Sequence, residues 1–148
     1  MKYQSKTTGY SFNGSNQYAV DTTVINQEHG PVPGMSKKSF LVFKHNKYIM
    51  VPTETIAFFY IKFGATMIVT FDKQEYSVHY TLEQIQQFLS EQQFFRLNRQ
   101  YLISLNAIKE VEYYFARKLL VTPILPFPDK LIVSKEKARN FLDWLESR

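Results

Sequence analysis

At 148 residues, of which 45% are apolar and 16% aromatic, the chain is long enough to form one domain with a real core. It contains no cysteine, which excludes disulfides, thiolate nucleophiles and cysteine-held metals. No apolar stretch approaches the roughly 20 residues that cross a bilayer, and the start lacks the apolar core of a signal peptide. We therefore expect a cytoplasmic protein that does not contact a membrane.

The first break in the sequence separates a polar N-terminal arm or linker, residues 1–35, from the rest of the chain. The arm is rich in Ser, Thr, Asn and Gln and ends in HGPVPGM, where prolines and glycines mark a linker or turn. The formal charge of +5 falls entirely on residues 36–148, because the arm carries two lysines and two acids. We expect these later residues to form the folded and basic domain.

Alternating strand and turn signals follow the arm. Apolar and β-branched runs predict strands at residues 40–44, 48–51, 56–62, 66–71, 75–80, 101–103, 108–113, 118–122 and 131–133. A proline cluster at residues 123–128 predicts a stiff loop before the last of them. The pattern indicates a mainly β domain.

Two helices complete the prediction. Thr81 and Gln84 have the spacing of a capping box and open a short helix near residues 82–89. Ser134 can cap a C-terminal helix with its side chain. The apolar positions of that helix fall at i, i+3, i+4 and i+7 and are Ala138, Phe141, Leu142 and Leu145.

The most informative segment is residues 94–108, FFRLNRQYLISLNAI, where polar groups stand among apolar residues just before a strand. Arg99 can donate in a fork to guanine O6 and N7, and Asn98 or Gln100 can pair with adenine N6 and N7 in the major groove. The alternative is a surface turn whose polar side chains satisfy the local backbone.

Two further segments carry cations at turns. KFGATM, residues 62–67, presents Lys62 and Thr66 at one end of a sheet, although an ordinary hairpin with a solvated lysine explains it almost as well. Residues 134–139 place Lys135, Lys137 and Arg139 at a helix start, where free N–H groups and long charged stems suit phosphate. A solvated face of an amphipathic helix is the alternative.

Catalytic signals are missing from the sequence. The three histidines, His29, His45 and His79, have no metal-ligand spacing, and there is no nucleophile motif or phosphate-cradling glycine loop. Glu110 and Glu112 alternate along a strand, as a solvated face does. We expect no enzyme activity, no cofactor and no metal.

Residues 95–104 resemble the signature of LytTR domains, an aromatic-Arg-x-His-Arg-Ser-aromatic-aliphatic-Val-Asn pattern. Three polar positions differ from the commonest form, with Asn98 for His, Gln100 for Ser and Ser104 for Asn. The order of elements over residues 40–148 is similar as well. The resemblance implies a mainly β, elongated LytTR-like sheet fold with one short internal helix and a C-terminal helix.

The same resemblance implies the DNA-binding output domain of a bacterial two-component response regulator, which inserts loops into successive major grooves of double-stranded DNA. Bases would be read by Asn98, Arg99 and Gln100, and in the neighbouring groove by Lys62 and Thr66. Phosphates would be anchored by Arg96, Lys135, Lys137 and Arg139. Lys135 stands where family members often have Arg, and lysine cannot form the same bidentate fork. The family habit is two copies on a direct-repeat operator, with homodimer formation on the DNA.

The alternative function is a β-rich protein-interaction or ligand-sensing module that does not bind DNA. An exposed apolar patch would favour it.

Overall fold

A computed structural model describes residues 36–148, and the predicted arm lies outside the described residues. Ten strands are formed in this part of the chain: β1 Ser39–Lys44, β2 Lys47–Pro52, β3 Ile56–Lys62, β4 Ala65–Thr70, β5 Glu75–Val78, β6 Phe94–Arg96, β7 Tyr101–Ser104, β8 Ile108–Tyr113, β9 Leu119–Pro123 and β10 Leu131–Val133. The two α-helices are α1 Leu82–Phe88 and α2 Lys135–Glu146. The predicted mainly β class with an internal and a C-terminal helix is confirmed.

The strands form three antiparallel sheets. A five-stranded sheet has the order β5-β4-β3-β7-β6, the β1–β2 hairpin forms a second sheet, and a three-stranded sheet has the order β10-β9-β8. Short connections join most consecutive strands, so each strand pairs with a neighbour in sequence, while β3 also pairs with β7. That pairing brings the signature segment into the centre of the fold.

The five-stranded sheet is covered on both faces. In β3, Phe58 and Phe59 are both 0% exposed but belong to two separate apolar clusters, because successive side chains of a strand point to opposite faces. Phe59 packs with the β1–β2 hairpin and α1, whereas Phe58 packs with the three-stranded sheet and α2. Two-sided burial explains the almost continuous apolar run of this strand.

The predicted capping box of α1 is confirmed. The Gln84 backbone N–H donates to the Thr81 hydroxyl at 3.1 Å, and the Thr81 N–H donates to the Gln84 side chain at 2.9 Å. Ser134 occupies the N-cap position of α2, but its side chain makes no cap hydrogen bond, so that part of the prediction is wrong. Its backbone N–H instead donates to the Leu97 carbonyl at 3.2 Å, which joins the helix start to the β6–β7 connection.

The apolar face of α2 differs from the predicted one at one position. Leu142 is 38% exposed, while Phe141 and Trp144 are buried. The Trp144 indole packs 5.2 Å from the Phe95 ring and donates to the Glu91 carbonyl at 2.8 Å. A narrow stripe centred on Phe141 and Trp144 therefore docks α2, and this stripe leaves Leu142 at the solvent side.

An exposed apolar patch covers the outer face of the β1–β2 hairpin. Leu41 pairs with Met50 and Phe43 with Tyr48, and all four side chains are between 54% and 71% exposed. The Phe43 and Tyr48 rings lie 4.9 Å apart. Cross-strand pairing thus assembles one continuous patch. Within the described residues, no helix has the length and apolar character needed to span a membrane.

Burial in β3 generates a stability prediction. Phe59→Ala should lower the free energy of unfolding by about 3–5 kcal/mol, because it leaves a cavity between the hairpin and the sheet. The control is Phe63→Ala, which removes a ring that is 99% exposed and should change stability by less than about 0.5 kcal/mol. Urea unfolding followed by circular dichroism measures both, and equal losses would contradict the described burial.

Candidate nucleic-acid interface

The three polar segments singled out in the sequence meet at one end of the five-stranded sheet. They are the β3–β4 turn, residues 63–64, the β6–β7 turn, residues 97–100, and the start of α2. The Ile61 N–H of β3, the strand that leads into the first segment, donates to the Gln100 carbonyl of the second segment at 3.1 Å. The Ser134 N–H donates to the Leu97 carbonyl, which joins the second to the third. We call these three segments together the polar end.

Arg96 fixes the backbone of the β6–β7 turn. Its guanidinium donates to the Asn98 carbonyl at 2.7 Å and to the Arg99 carbonyl at 2.8 Å. It also donates to the Gln86 side chain at 3.1 Å and to the Glu83 carboxylate at 3.3 Å, both on α1. The side chain is 11% exposed. A guanidinium engaged in this way stabilises the turn and has little surface left for a phosphate.

Glu83 completes this link between α1 and the turn. Its own backbone N–H lowers the pKa of the carboxyl below its ordinary value, and the Arg96 guanidinium lowers it further. Glu83 is an exposed first-turn residue of the helix, where a negative charge also suits the helix dipole. The carboxylate therefore stays charged at neutral pH and faces the guanidinium.

Asn98 holds the same turn from the other side. Its side-chain amide donates to the Ile132 carbonyl of β10, and its side-chain oxygen accepts from the Gln100 N–H at 2.7 Å. The second bond closes a local turn of the kind that Asn and Asp favour. Both ends of the amide are thus occupied by protein.

Arg99 and Gln100 are presented differently. Both side chains are exposed, and among residues 36–148 neither makes a side-chain hydrogen bond or an ion pair. Their backbones are held by Arg96 and Asn98, respectively. The turn therefore offers two forked hydrogen-bonding groups on a fixed backbone.

The β3–β4 turn projects Phe63 at this end. Phe63 and Gly64 have φ of 50° and 79°, the left-handed pair that a two-residue hairpin turn requires. Phe63 is 99% exposed, whereas Thr66 is 5% exposed within β4. Lys62 is partly exposed and lies 3.5 Å from the Glu75 carboxylate.

A layer of buried tyrosines backs the polar end. The Tyr60 and Tyr101 rings are stacked at 5.8 Å, and the Tyr60 hydroxyl donates to the Glu75 carboxylate at 2.8 Å. Burial, followed by the Asp129 carboxylate, raises the pKa of Tyr101 to about 12. Burial is also the main cause of the raised pKa of Tyr60. Both rings stay neutral at physiological pH and give the turns a rigid support.

The start of α2 contributes cations. Lys135 and Arg139 are exposed, and Lys137 is half-buried. Arg139 lies 3.7 Å from Asp143 one turn later, but both side chains are more than two-thirds exposed, so this pair is weak and screened. The helix start therefore keeps its positive charge available.

Comparison with known proteins identifies the family. The LytTr DNA-binding domain model matches residues 46–146, which is more than half of the chain. The chain belongs to the LytTR family of DNA-binding domains. No curated protein matches it in sequence.

A solved structure has the same fold as this LytTR domain. It is the LytTr DNA-binding domain of a protein from Bacillus cereus described as a methyl-accepting/DNA response regulator. The two share 19% sequence identity over 74% of this chain and 98% of the other, with a TM-score of 0.66. Family membership makes DNA the partner of the domain.

The structure places the residues that were predicted to contact DNA in different surroundings within the LytTR domain. Arg96 and Asn98 were predicted to contact DNA, but their polar groups bind the turn, α1 and β10. Thr66 was predicted to meet a groove, but it is buried, because it points to the same face of β4 as the core residue Ile68. Arg99, Gln100, Lys62 and the α2 cations remain exposed at the polar end or its border.

Two features of the LytTR domain were missed from the sequence. The exposure of Phe63 was not predicted, although a residue that directly precedes glycine in a tight hairpin turn lies at the surface. The contacts of Arg96 with Glu83 and Gln86 were also missed. No sequence signal relates the helix to a segment 10 and 13 residues later, because their proximity depends on the tertiary packing.

Arg96 gives a direct prediction of a positioning role. Arg96→Lys should lower the free energy of unfolding by about 1–3 kcal/mol, because one ammonium cannot donate to both turn carbonyls and to α1. Exchange of the Gln100 amide hydrogen, measured by NMR, should become faster as the turn loosens. Arg139→Lys is the control, since that side chain is 87% exposed and should change neither quantity. Unchanged exchange in Arg96→Lys would refute the positioning role.

Proposed function

We propose that this LytTR domain recognises a specific double-stranded DNA sequence by placing its polar end in successive major grooves. The observation that carries the proposal is the β6–β7 turn, where Arg99 and Gln100 are exposed on a backbone fixed by Arg96 and Asn98. A preorganised turn loses little freedom on binding, so its hydrogen bonds contribute more to affinity and specificity. Arg99 is suited to guanine and Gln100 to adenine.

The neighbouring groove is met by the β3–β4 turn in this proposal. Phe63 provides an apolar surface suited to a thymine methyl group, and Lys62 provides a cation for a phosphate or a base edge. Lys62 would leave its 3.5 Å contact with Glu75, a cost that is small for a partly exposed pair. Thr66 has no direct part, because it is buried.

Phosphates are bound at the start of α2. The Ser134 side chain makes no cap bond, and although the Lys137 N–H donates to the Ser134 carbonyl at 3.0 Å, the Lys135 and Glu136 N–H groups of this 12-residue helix keep free donors. Lys135, Lys137 and Arg139 add positive charge at the same place. Arg96 is not an anchor in this scheme, since its donors already hold the turn.

We place the domain in transcription regulation, as the output domain of a two-component response regulator in the cytoplasm. The support is the family itself and the description of the solved relative as part of a response regulator. Two copies would bind a direct-repeat operator, with homodimer formation on the DNA. The β1–β2 patch, which exposes Leu41, Phe43, Tyr48 and Met50, is an apolar surface available for such contacts.

The same patch is the feature that the alternative function, a protein-interaction module, requires. Heparin chromatography beside size exclusion separates the two functions. DNA binding predicts retention on heparin up to moderate salt, whereas the interaction module predicts self-association or complex formation without retention.

Base recognition and phosphate anchoring can be separated by two variants. On a duplex obtained by selection from random DNA, Arg99→Ala should cost about 1–3 kcal/mol and relax the preference at one base pair. Lys137→Ala should weaken the selected and a scrambled duplex alike and make the slope of log K against log salt shallower by about one. Fluorescence anisotropy at two salt concentrations measures both.

Two results would contradict the proposal. Equal weakening of the two duplexes by Arg99→Ala, with the preferred sequence unchanged, would make Arg99 an anchor and not a base contact. A wild-type domain whose binding does not depend on salt would contradict DNA binding altogether. Each neutralised phosphate should make the slope of log K against log salt more negative by about 0.9.

A further inference from the structure

The connection between β8 and β9 carries an unusual group of exposed side chains. We call residues 113–118 the β8–β9 tip. Tyr113 is 85% and Phe115 64% exposed, and Arg117 is exposed as well. The Lys118 ammonium lies 5.0 Å from the centre of the Phe115 ring. Cations and aromatic rings thus project together at this tip.

The backbone of the tip is held in a costly conformation. Ala116 and Arg117 have φ of 58° and 63°, a region that glycine or asparagine occupies more easily than these residues do. Two hydrogen bonds close the turn, from the Tyr114 N–H to the Lys118 carbonyl at 2.9 Å and from the Lys118 N–H to the Phe115 carbonyl at 3.2 Å. A cation kept at a position that favours glycine points to a use for its side chain.

The charge of the tip is not neutralised by the protein. Lys130 lies 5.7 Å from the Tyr114 ring and adds a third cation to Arg117 and Lys118. Within residues 36–148, none of these three side chains forms an ion pair. The nearest acids in the sequence, Glu112 and Asp129, are not paired with them.

The strand register places the tip beside the polar end. Leu119, the first residue of β9, pairs with Val133, which directly precedes the start of α2. The tip also packs against α2 itself. The segments therefore follow one another as the β3–β4 turn, the β6–β7 turn, the start of α2 and the tip, so that the tip is the outermost of the four.

We propose that the β8–β9 tip binds the DNA backbone beyond the bases that Arg99 and Gln100 contact. Arg117 and Lys118 would neutralise flanking phosphates, and the exposed face of Phe115 would lie against a deoxyribose. The inference rests on the proposed DNA binding and adds a contact that contributes affinity without base specificity. The tip thereby extends the length of duplex that one domain covers.

The test compares two double variants of the full chain that remove two cations each. The tip variant is Arg117→Gly with Lys118→Ala, and the control is Lys73→Gly with Lys109→Ala. Lys73 has φ of 71°, so both variants place glycine at a left-handed position and leave the backbone at least as relaxed. Lys73 and Lys109 lie at the ends of their sheets that are opposite to the polar end and the tip. Each double variant loses two positive charges, so the general attraction to DNA is the same in both.

Both variants are measured on two duplexes that share the selected site. One duplex ends at the recognised bases, and the other extends by about one helical turn, roughly 10 base pairs, on each side. On the long duplex the tip variant should bind about tenfold more weakly than wild type, with a salt slope shallower by about two. On the short duplex it should bind like the control, because the flanking phosphates are gone.

Two outcomes overturn the inference alone, and a third overturns the proposed function with it. Equal affinities of the tip variant and the control on the long duplex would show that the tip does not bind DNA, while wild-type binding would leave the proposed function intact. Failure of the wild type on every duplex would remove both. An aromatic and basic tip also suits an anionic bilayer surface. If the tip variant no longer sedimented with anionic vesicles but kept the DNA affinity of the control, the tip would be assigned to lipid binding.

Discussion

The contacts of the Arg96 guanidinium are the interaction on which the functional geometry depends. Its donors reach the Asn98 and Arg99 carbonyls on one side and Gln86 and Glu83 of α1 on the other. Hydrogen bonds from a charged donor contribute more than neutral ones, typically about 1.5–3 kcal/mol. These contacts hold the four-residue turn, which lies outside the strand pairing, in one backbone conformation. The side chains of its exposed residues can then be presented to DNA without a large entropic cost.

Two-sided packing of the five-stranded sheet supports this arrangement. Phe58 and Phe59 anchor β3 in opposite clusters, so the strand that precedes the β3–β4 turn cannot shift without disturbing both. The stacked rings of Tyr60 and Tyr101 lie directly behind the two turns. The recognition of DNA by turns that we propose would require a stiff platform of this kind, because a loose turn would lose the position of its hydrogen-bonding groups.

Much of the fold was predictable because period-two patterns and turn residues are local properties. Nine of the ten strands and the Thr81 capping box follow from such signals, whereas the three-residue strand β6 was not predicted. The family signature also located the turn that carries Arg99. The burial of Thr66 could have been predicted from its two-residue spacing to Ile68, which fixes the face on which it lies.

The remaining differences came from tertiary contacts that no local pattern encodes. Whether Arg96 faces solvent or α1 depends on how the helix packs over the sheet, and the signature alone is compatible with both. Ser134 does not cap α2 with its side chain, and its backbone N–H donates to the Leu97 carbonyl. Trp144 lies on the buried face, where its indole donates to the Glu91 carbonyl, whereas Leu142 is partly exposed.

Methylation interference on the selected site tests most directly the claim that the polar end reads bases in the major groove. Guanine N7 lies in the major groove and is an acceptor for a forked arginine, whereas adenine N3 lies in the minor groove. Methylation of N7 at particular guanines should prevent binding of the wild-type domain. At one of these guanines, methylation should no longer affect the binding of Arg99→Ala. Interference confined to adenine N3, or a pattern that Arg99→Ala leaves unchanged, would contradict the account.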